Sequence, residues 1–251
     1  MMVQTADYQD NFVEFYNIDC MKLLHTVKDN SVDLIVTDPP YLCTSRGSSG
    51  TMGGYWKDDA AKKGTIFEQN NISCREYLPE FYRVLKNGTH CYIMINNINL
   101  IEMLNVATEC GFKFIKSLIW NKGNKICGRY YMNCFEYILM FRKGEARDIN
   151  NCGTPDILDI PINKLKDENG NNLHDTEKPV KLMEILIENS TNKGEIVFEP
   201  FAGIGSTLIA ARNLERKVVG SELDSKFAEI VVKRLKNEKI SKKEINQEEL
   251  F

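Results

Sequence analysis

Glu195-Ile196-Val197-Phe198-Glu199-Pro200-Phe201-Ala202-Gly203-Ile204-Gly205-Ser206 runs from an apolar, strand-like segment through a glycine-rich turn into a helix-like stretch. A strand that feeds a helix in this way is the building unit of a parallel α/β sheet. Gly203 and Gly205 permit a tight turn and let a ligand approach the backbone closely. Glu222 closes the next strand, 17 residues beyond Gly205, where a carboxylate can accept hydrogen bonds from both hydroxyls of a ribose. Leu208 stands where the third glycine of a dinucleotide fingerprint would fall, which favours a nucleoside cofactor that lacks a pyrophosphate.

Outward from this turn, strand and helix patterns alternate along most of the chain. Strands are expected at 13–16, 32–36, 91–95, 114–120, 135–141, 195–198 and 217–222. Helices are expected at 20–27, 77–85, 100–110, 180–188, from the glycine turn through Leu214, and from Ser225 onward. Asn87-Gly88 reads as the stop of the 77–85 helix. Residues 42–70 break the pattern with glycines 47, 50, 53, 54 and 64, and an irregular stretch of that length is usually functional or disordered. Residues 142–173 are polar and weakly patterned, as a small recognition segment would be, and the charged tail 237–251 is expected to project or fray. The whole of 1–251 reads as one domain.

Composition narrows the class. With 43% hydrophobic and 27% charged residues, this is an ordinary globular composition. No apolar run approaches the roughly 20 residues of a membrane span, and the N-terminus lacks a basic region followed by an apolar one, so a cytoplasmic protein is expected. The eight cysteines form no CxxC pair and no Cys/His cluster, so no metal site is read. A net charge of −3 announces no polyanionic partner, yet phosphate contacts need only a local basic surface. Lys122, Lys125 and Arg129 open such a run.

A second segment carries chemistry: Asp38-Pro39-Pro40-Tyr41, directly after the apolar strand Val32–Val36. The exocyclic amine of adenine or cytosine is a poor nucleophile because its lone pair is delocalised into the ring. Two acceptors on its N–H bonds would pyramidalise the nitrogen and free that lone pair. An ionised Asp38 supplies one acceptor and the Pro39 carbonyl the other. Pro39 and Pro40 stiffen the backbone that presents them, and Tyr41 offers a face for stacking a base.

These residues resemble the S-adenosylmethionine-dependent DNA amino-methyltransferases, and the order of parts, catalytic before cofactor, resembles their circularly permuted β class. Thr37 to Tyr41 matches the catalytic motif, Val197 to Thr207 the cofactor motif, and Gly220 to Asp224 the ribose-binding strand end. His174 to Pro179 resembles a His-Pro-Thr-Gln-Lys-Pro segment, and Asn17 to Cys20 the segment whose aspartate meets the cofactor's adenine. Glu199 replaces the family's Asp, lengthening the carboxylate with its charge kept, while Asp175 and Glu177 replace Pro and Gln.

The resemblance implies a Rossmann-like sheet of seven strands, mostly parallel with one antiparallel, flanked by helices on both faces. It implies S-adenosylmethionine held by Asp19, Cys20, Lys178, Pro200, Phe201, Gly203, Gly205, Ser206, Thr207 and Glu222, with Lys178 meeting the methionine carboxylate. Asp38, Pro39, Pro40 and Tyr41 would act on the target amine. Residues 42–70 would close over DNA or an extruded base, and 142–173 would read sequence. DNA is the implied substrate, with a homodimer and a cognate restriction endonuclease as further partners. Asp rather than Ser at position 38 favours adenine N6 over cytosine N4. The competing readings are methylation of RNA or a protein amide, and an inactive DNA-binding module of the same fold.

Overall fold

All six residues of β3 (Val32–Thr37) are buried, as expected of a parallel strand covered on both faces. The structure, a computed structural model, describes residues 5–40, 72–126, 131–145, 147–162, 165 and 177–241. Tyr41, Arg129 and the 42–70 segment therefore lie outside the described residues, as does most of 163–176.

Along the chain come β1 (Tyr8–Gln9), β2 (Val13–Tyr16), α1 (Cys20–Leu24), β3, α2 (Cys74–Val84), β4 (Leu85–Ile95), α3 (Leu100–Glu109) and β5 (Lys113–Ile126). They are followed by β6 (Asn133–Arg142), β7 (Ile157–Asp159), α4 (Val180–Ser190), β8 (Ile196–Glu199), α5 (Ser206–Asn213), β9 (Lys217–Ser221) and α6 (Ser225–Ser241). The strands form one sheet in the order β1-β2-β9-β8-β3-β4-β6-β5-β7. β6 runs antiparallel to both neighbours, and β1 is antiparallel to β2. The remaining pairs are parallel. The mostly parallel sheet is the expected one, extended to nine strands by the short edge strands β1 and β7.

Period-two alternation along the central strands sorts the core into two layers. Leu34, Val36, Tyr92 and Met94 pack against α4, α5 and α6 through Leu182, Leu186, Leu208 and Val231. Ile35, Cys91, Ile93 and Ile95 face the other way, onto α1, α2 and α3 through Leu24, Leu78, Phe81 and Val106. The crossover from β3 to β4 uses α2 on one face, and that from β8 to β9 uses α5 on the other. The adjacent carboxyl ends of β3 and β8 thus flank a topological switch point, where open α/β sheets bind ligands.

Several boundaries differ from the sequence expectation, and three of them are informative. α2 starts earlier, at Cys74, because Ser73 and Glu76 form a reciprocal capping box. It also ends without a glycine stop: Leu85 is already extended and pairs with Val32, so Asn87 and Gly88 belong to β4. Gly88, at φ +84°, sits where the β3–β4 register shifts, and its N–H donates to the Lys143 carbonyl. Finally, α6 continues to Ser241, so the first residues of the expected tail are helical.

The described part of 142–173 is fastened to the sheet. β7 adds a parallel edge strand to β5, Arg147 forms a bidentate pair with Glu195 at 2.7 and 2.9 Å, and Asn150 donates to the carbonyls of Glu188 and Thr191. Among the described residues no helix is long and apolar enough to cross a membrane.

Candidate active site

Four strands end side by side, in the order β2-β9-β8-β3, and the segment after each carboxyl end supplies candidate site residues. Past β2, Asp19 caps α1, its Oδ1 accepting from the N–H groups of Met21 and Lys22 at 2.9 and 3.2 Å. Asn17 bridges to the next strand end by donating to the Glu222 carbonyl at 2.7 Å. Cys20 is buried behind Asp19, and burial first, then the Asp19 charge, pushes its thiol up to about 12. Glu222, at the end of β9, accepts from the Gly203 N–H at 2.7 Å and the Asp224 N–H at 2.9 Å, one on each oxygen. Burial raises its pKa, and these backbone donors only partly offset that.

The glycine turn follows β8. Gly203 and Gly205 have φ of +53° and +89°, the left-handed region that side chains with a Cβ rarely adopt. The turn delivers the chain into α5 with Ser206 at the first helical position. The Ser206 hydroxyl is sealed from solvent and has no hydrogen-bond partner among the described residues. Pro200 is buried, and Phe201 packs edge-on against Tyr77 at 5.4 Å.

Glu199 lies under this turn. Its carboxyl accepts from the hydroxyls of Thr37 and Thr207, the latter at 2.8 Å, and from the Phe201 N–H at 3.1 Å. Burial outweighs those three donors and pushes its pKa up to about 8. Burial thus works against the charge that Glu199 is expected to keep from the Asp it replaces, while its three donors work for it. Thr207, expected at the cofactor, spends its hydroxyl on this internal bracket.

Asp38 stands one residue beyond β3, followed by Pro39 and Pro40. Lys178, just ahead of α4, donates to Asp38 Oδ2. Asp38 Oδ1 is sealed from solvent and has no partner among the described residues. On its other side the Lys178 ammonium lies 3.4 Å from Glu136 Oε2, and Glu136 Oε1 accepts from Lys122. All four side chains are mostly buried, at 22, 6, 17 and 12% exposure for Asp38, Lys178, Glu136 and Lys122. Burial raises the Asp38 pKa; Lys178 pulls it down, Glu136 pushes it back up, and the net direction is upward. Burial opposes the charges of Lys178 and Glu136 as well. The flanking carboxylates nevertheless hold the Lys178 ammonium charged, and the flanking ammoniums hold Glu136 below the usual carboxylate range.

The crevice thus gathers the expected Asp19, Cys20, Asp38, Pro39, Pro40, Lys178, Pro200, Phe201, Gly203, Gly205, Ser206, Thr207 and Glu222. Two expectations change character. The Lys178 ammonium, expected at a ligand carboxylate, is engaged by Asp38 and Glu136. Lys122 points inward against Glu136, whereas Lys125 is exposed. Glu136 escaped the sequence reading; the available signal was a lone carboxylate in the apolar strand Phe135-Glu136-Tyr137-Ile138.

A glycine turn and helix start beside a strand-end carboxylate, next to a proline-stiffened acceptor, meet at the switch point of a class I methyltransferase fold. The family described as DNA methylase, the N6/N4 methyltransferases, matches residues 32–233, and the chain belongs to it. It is 29% identical to the type II methyltransferase M2.DpnII of Streptococcus pneumoniae, over 92% of each chain. It is 27% identical to the type II methyltransferase M.HinfI of Haemophilus influenzae, over 91% of this chain and 70% of that one. Its fold is similar to the cytosine-N4-specific PvuII DNA methyltransferase, with TM-score 0.71, 17% identity and coverage of 92 and 89%. It is also similar to M1.HpyAVI in complex with S-adenosylmethionine, with TM-score 0.63, 23% identity and coverage of 88 and 99%.

Proposed function

We propose that this DNA methyltransferase acts on the exocyclic N6 of adenine, with S-adenosylmethionine as the donor. The observation that carries an exocyclic-amine target is Asp38 Oδ1, a buried acceptor without a partner among the described residues at the β3/β8 switch point, and Asp rather than Ser at position 38 favours adenine over cytosine. A buried carboxylate oxygen without a donor is costly unless a ligand supplies one, and an amine N–H does so. The cofactor side offers a matching vacancy in hydrogen bonding: the buried Ser206 hydroxyl, at the N-terminus of α5 beside two left-handed glycines.

When bound, S-adenosylmethionine supplies an electrophilic methyl on a sulfonium. Glu222 and Asp19 hold the nucleoside end, Glu222 with oxygens already oriented by two backbone N–H groups. Asp38 accepts one N–H of the target amine through Oδ1, and the Pro39 carbonyl accepts the other. Ionised Asp38 accepts in the forward step and can take up the proton that the methylated amine releases, an uptake that its burial favours. Tyr41, outside the described residues, is proposed as the stacking face for the base. Lys125, exposed on β5, is proposed as a phosphate contact together with Arg129, which lies outside the described residues. A second copy of the chain, a cognate endonuclease and cytoplasmic location are proposed on the family resemblance alone.

The test is transfer of labelled methyl to unmethylated bacterial DNA, followed by digestion to nucleosides. N6-methyladenine is the expected product; N4-methylcytosine without N6-methyladenine would refute the adenine assignment. Asp38→Ala is expected to lower turnover by at least about a hundredfold, the scale of losing a group aimed at the transition state, while S-adenosylmethionine still binds. Near-normal turnover of that variant would remove Asp38 from the mechanism.

A further inference from the structure

We propose that Glu136 is a positioning residue for methyl transfer, acting through Lys178 to decide which oxygen of Asp38 receives the target amine. The inference rests on the methyltransferase reading above. It begins from an asymmetry: Oδ2 of Asp38 is taken by Lys178, while Oδ1 is sealed and empty-handed. Nothing in an isolated carboxylate distinguishes its two oxygens, so the choice belongs to whatever places the Lys178 ammonium.

Lysine is a compact charge on a flexible four-carbon stem, and its own geometry does not pin it. Here the pin is a chain of alternating charge that crosses four segments: Lys122 on β5, Glu136 on β6, Lys178 ahead of α4, and Asp38 after β3. Lys122 holds Glu136 Oε1, and Glu136 Oε2 faces Lys178 at 3.4 Å without a hydrogen bond of its own. The indole face of Trp120 lies beneath both ammoniums, 5.0 Å from Lys122 and 5.9 Å from Lys178. The two carboxylates and two ammoniums sum to zero charge. A buried ionic chain of this kind is expensive to desolvate and a poor source of stability, so its use is in fixing an arrangement.

Removing the Glu136 charge would leave two ammoniums facing one carboxylate. Lys178 would lose its counterweight, and the nitrogen that turns cationic as it accepts the methyl would sit in a net positive surround. Asp38 is faced by Lys178 ahead of α4, Glu136 on β6, Lys122 on β5, Tyr77 on α2 and Glu199 on β8. Of these, Glu136 disfavours its ionisation, while Lys122 and Lys178 favour it. Neutralising Glu136 or Lys122 therefore pushes the acid limb of the turnover profile in opposite directions.

The experiment uses the full chain, unmethylated bacterial DNA at saturation and labelled S-adenosylmethionine. Glu136→Gln is expected to lower kcat about tenfold, leave the cofactor Kd within about twofold, and move the acid limb of kcat to lower pH. Lys122→Gln is expected to move that limb to higher pH, and Glu136→Asp, which keeps the charge, to return it toward wild type. Should Glu136→Gln fail to fold, the limb positions of Lys122→Gln and Glu136→Asp carry the same comparison. An unaltered limb in both neutralising variants, or equal loss of kcat in Glu136→Gln and Glu136→Asp without any limb movement, marks a merely structural role and ends the inference. Wild-type protein that transfers no label would instead bring down the functional reading on which it rests.

Discussion

Glu222 and Asp38 are both strand-end carboxylates, yet they are prepared for different tasks. Each Glu222 oxygen already accepts one backbone N–H, which fixes the orientation of the carboxylate. Loss of one charged hydrogen-bond partner corresponds to roughly tenfold in affinity, so Glu222→Ala is expected to weaken S-adenosylmethionine binding by about that factor. Calorimetric titration reads it, and an unchanged dissociation constant would remove Glu222 from the cofactor site. Both carboxylates were legible in the sequence because each directly follows a strand, Asp38 beside Pro39 and Glu222 one strand on from the glycine turn. The partners of Asp38 were not, because Lys178 and Glu136 lie about 100 or more residues away in sequence and meet it only through the sheet order.

At the scale of elements, the turn between β8 and α5 depends on local backbone geometry. Gly205 has φ +89°, and a Cβ built there would lie 3.3 Å from both γ-carbons of Val231 on α6. A left-handed residue with a side chain costs roughly 1–2 kcal/mol, and the tight contact adds to it. Gly205→Ala is therefore expected to destabilise the chain by about 1–3 kcal/mol, measured by urea unfolding; a loss under about 0.5 kcal/mol would show that the turn relaxes freely. The same kind of residue misled at Gly88. In sequence, Asn87-Gly88 after an amphipathic stretch reads as a helix stop, but the positive φ there serves a register shift in β4. A glycine reports that a special backbone angle is needed; the pairing of Leu85 with Val32 determines what the angle is for.

For the whole molecule, Glu199 ties β3, β8 and α5 together through Thr37, Phe201 and Thr207. Its pKa of about 8 in the folded chain exceeds the ordinary carboxylate value. The folded state thus holds a proton that the unfolded state releases near pH 4. The associated stability is complete below about pH 4 and is lost as pH rises toward 8. Glu199→Gln cannot titrate and can donate to one threonine while accepting from the other. The Tm of wild type relative to this variant is therefore expected to fall between about pH 5 and 8. Parallel Tm curves across that window would mean that Glu199 does not hold the proton.

Alternation of apolar runs with helical spacing determined the α/β class, and two short motifs determined the end of the sheet that carries the candidate site. Both are local: a strand's burial, a glycine's freedom and a proline's stiffness are written within a few residues of the chain. Tertiary structure alone decided which charges are spent inside. Lys122 reads as a surface cation until β5 and β6 pair and turn it onto Glu136. Lys178 reads as a ligand contact until α4 delivers it to Asp38. Charge pairing depends on distance through a low-dielectric interior rather than along the chain, so those assignments exist only once the sheet has formed.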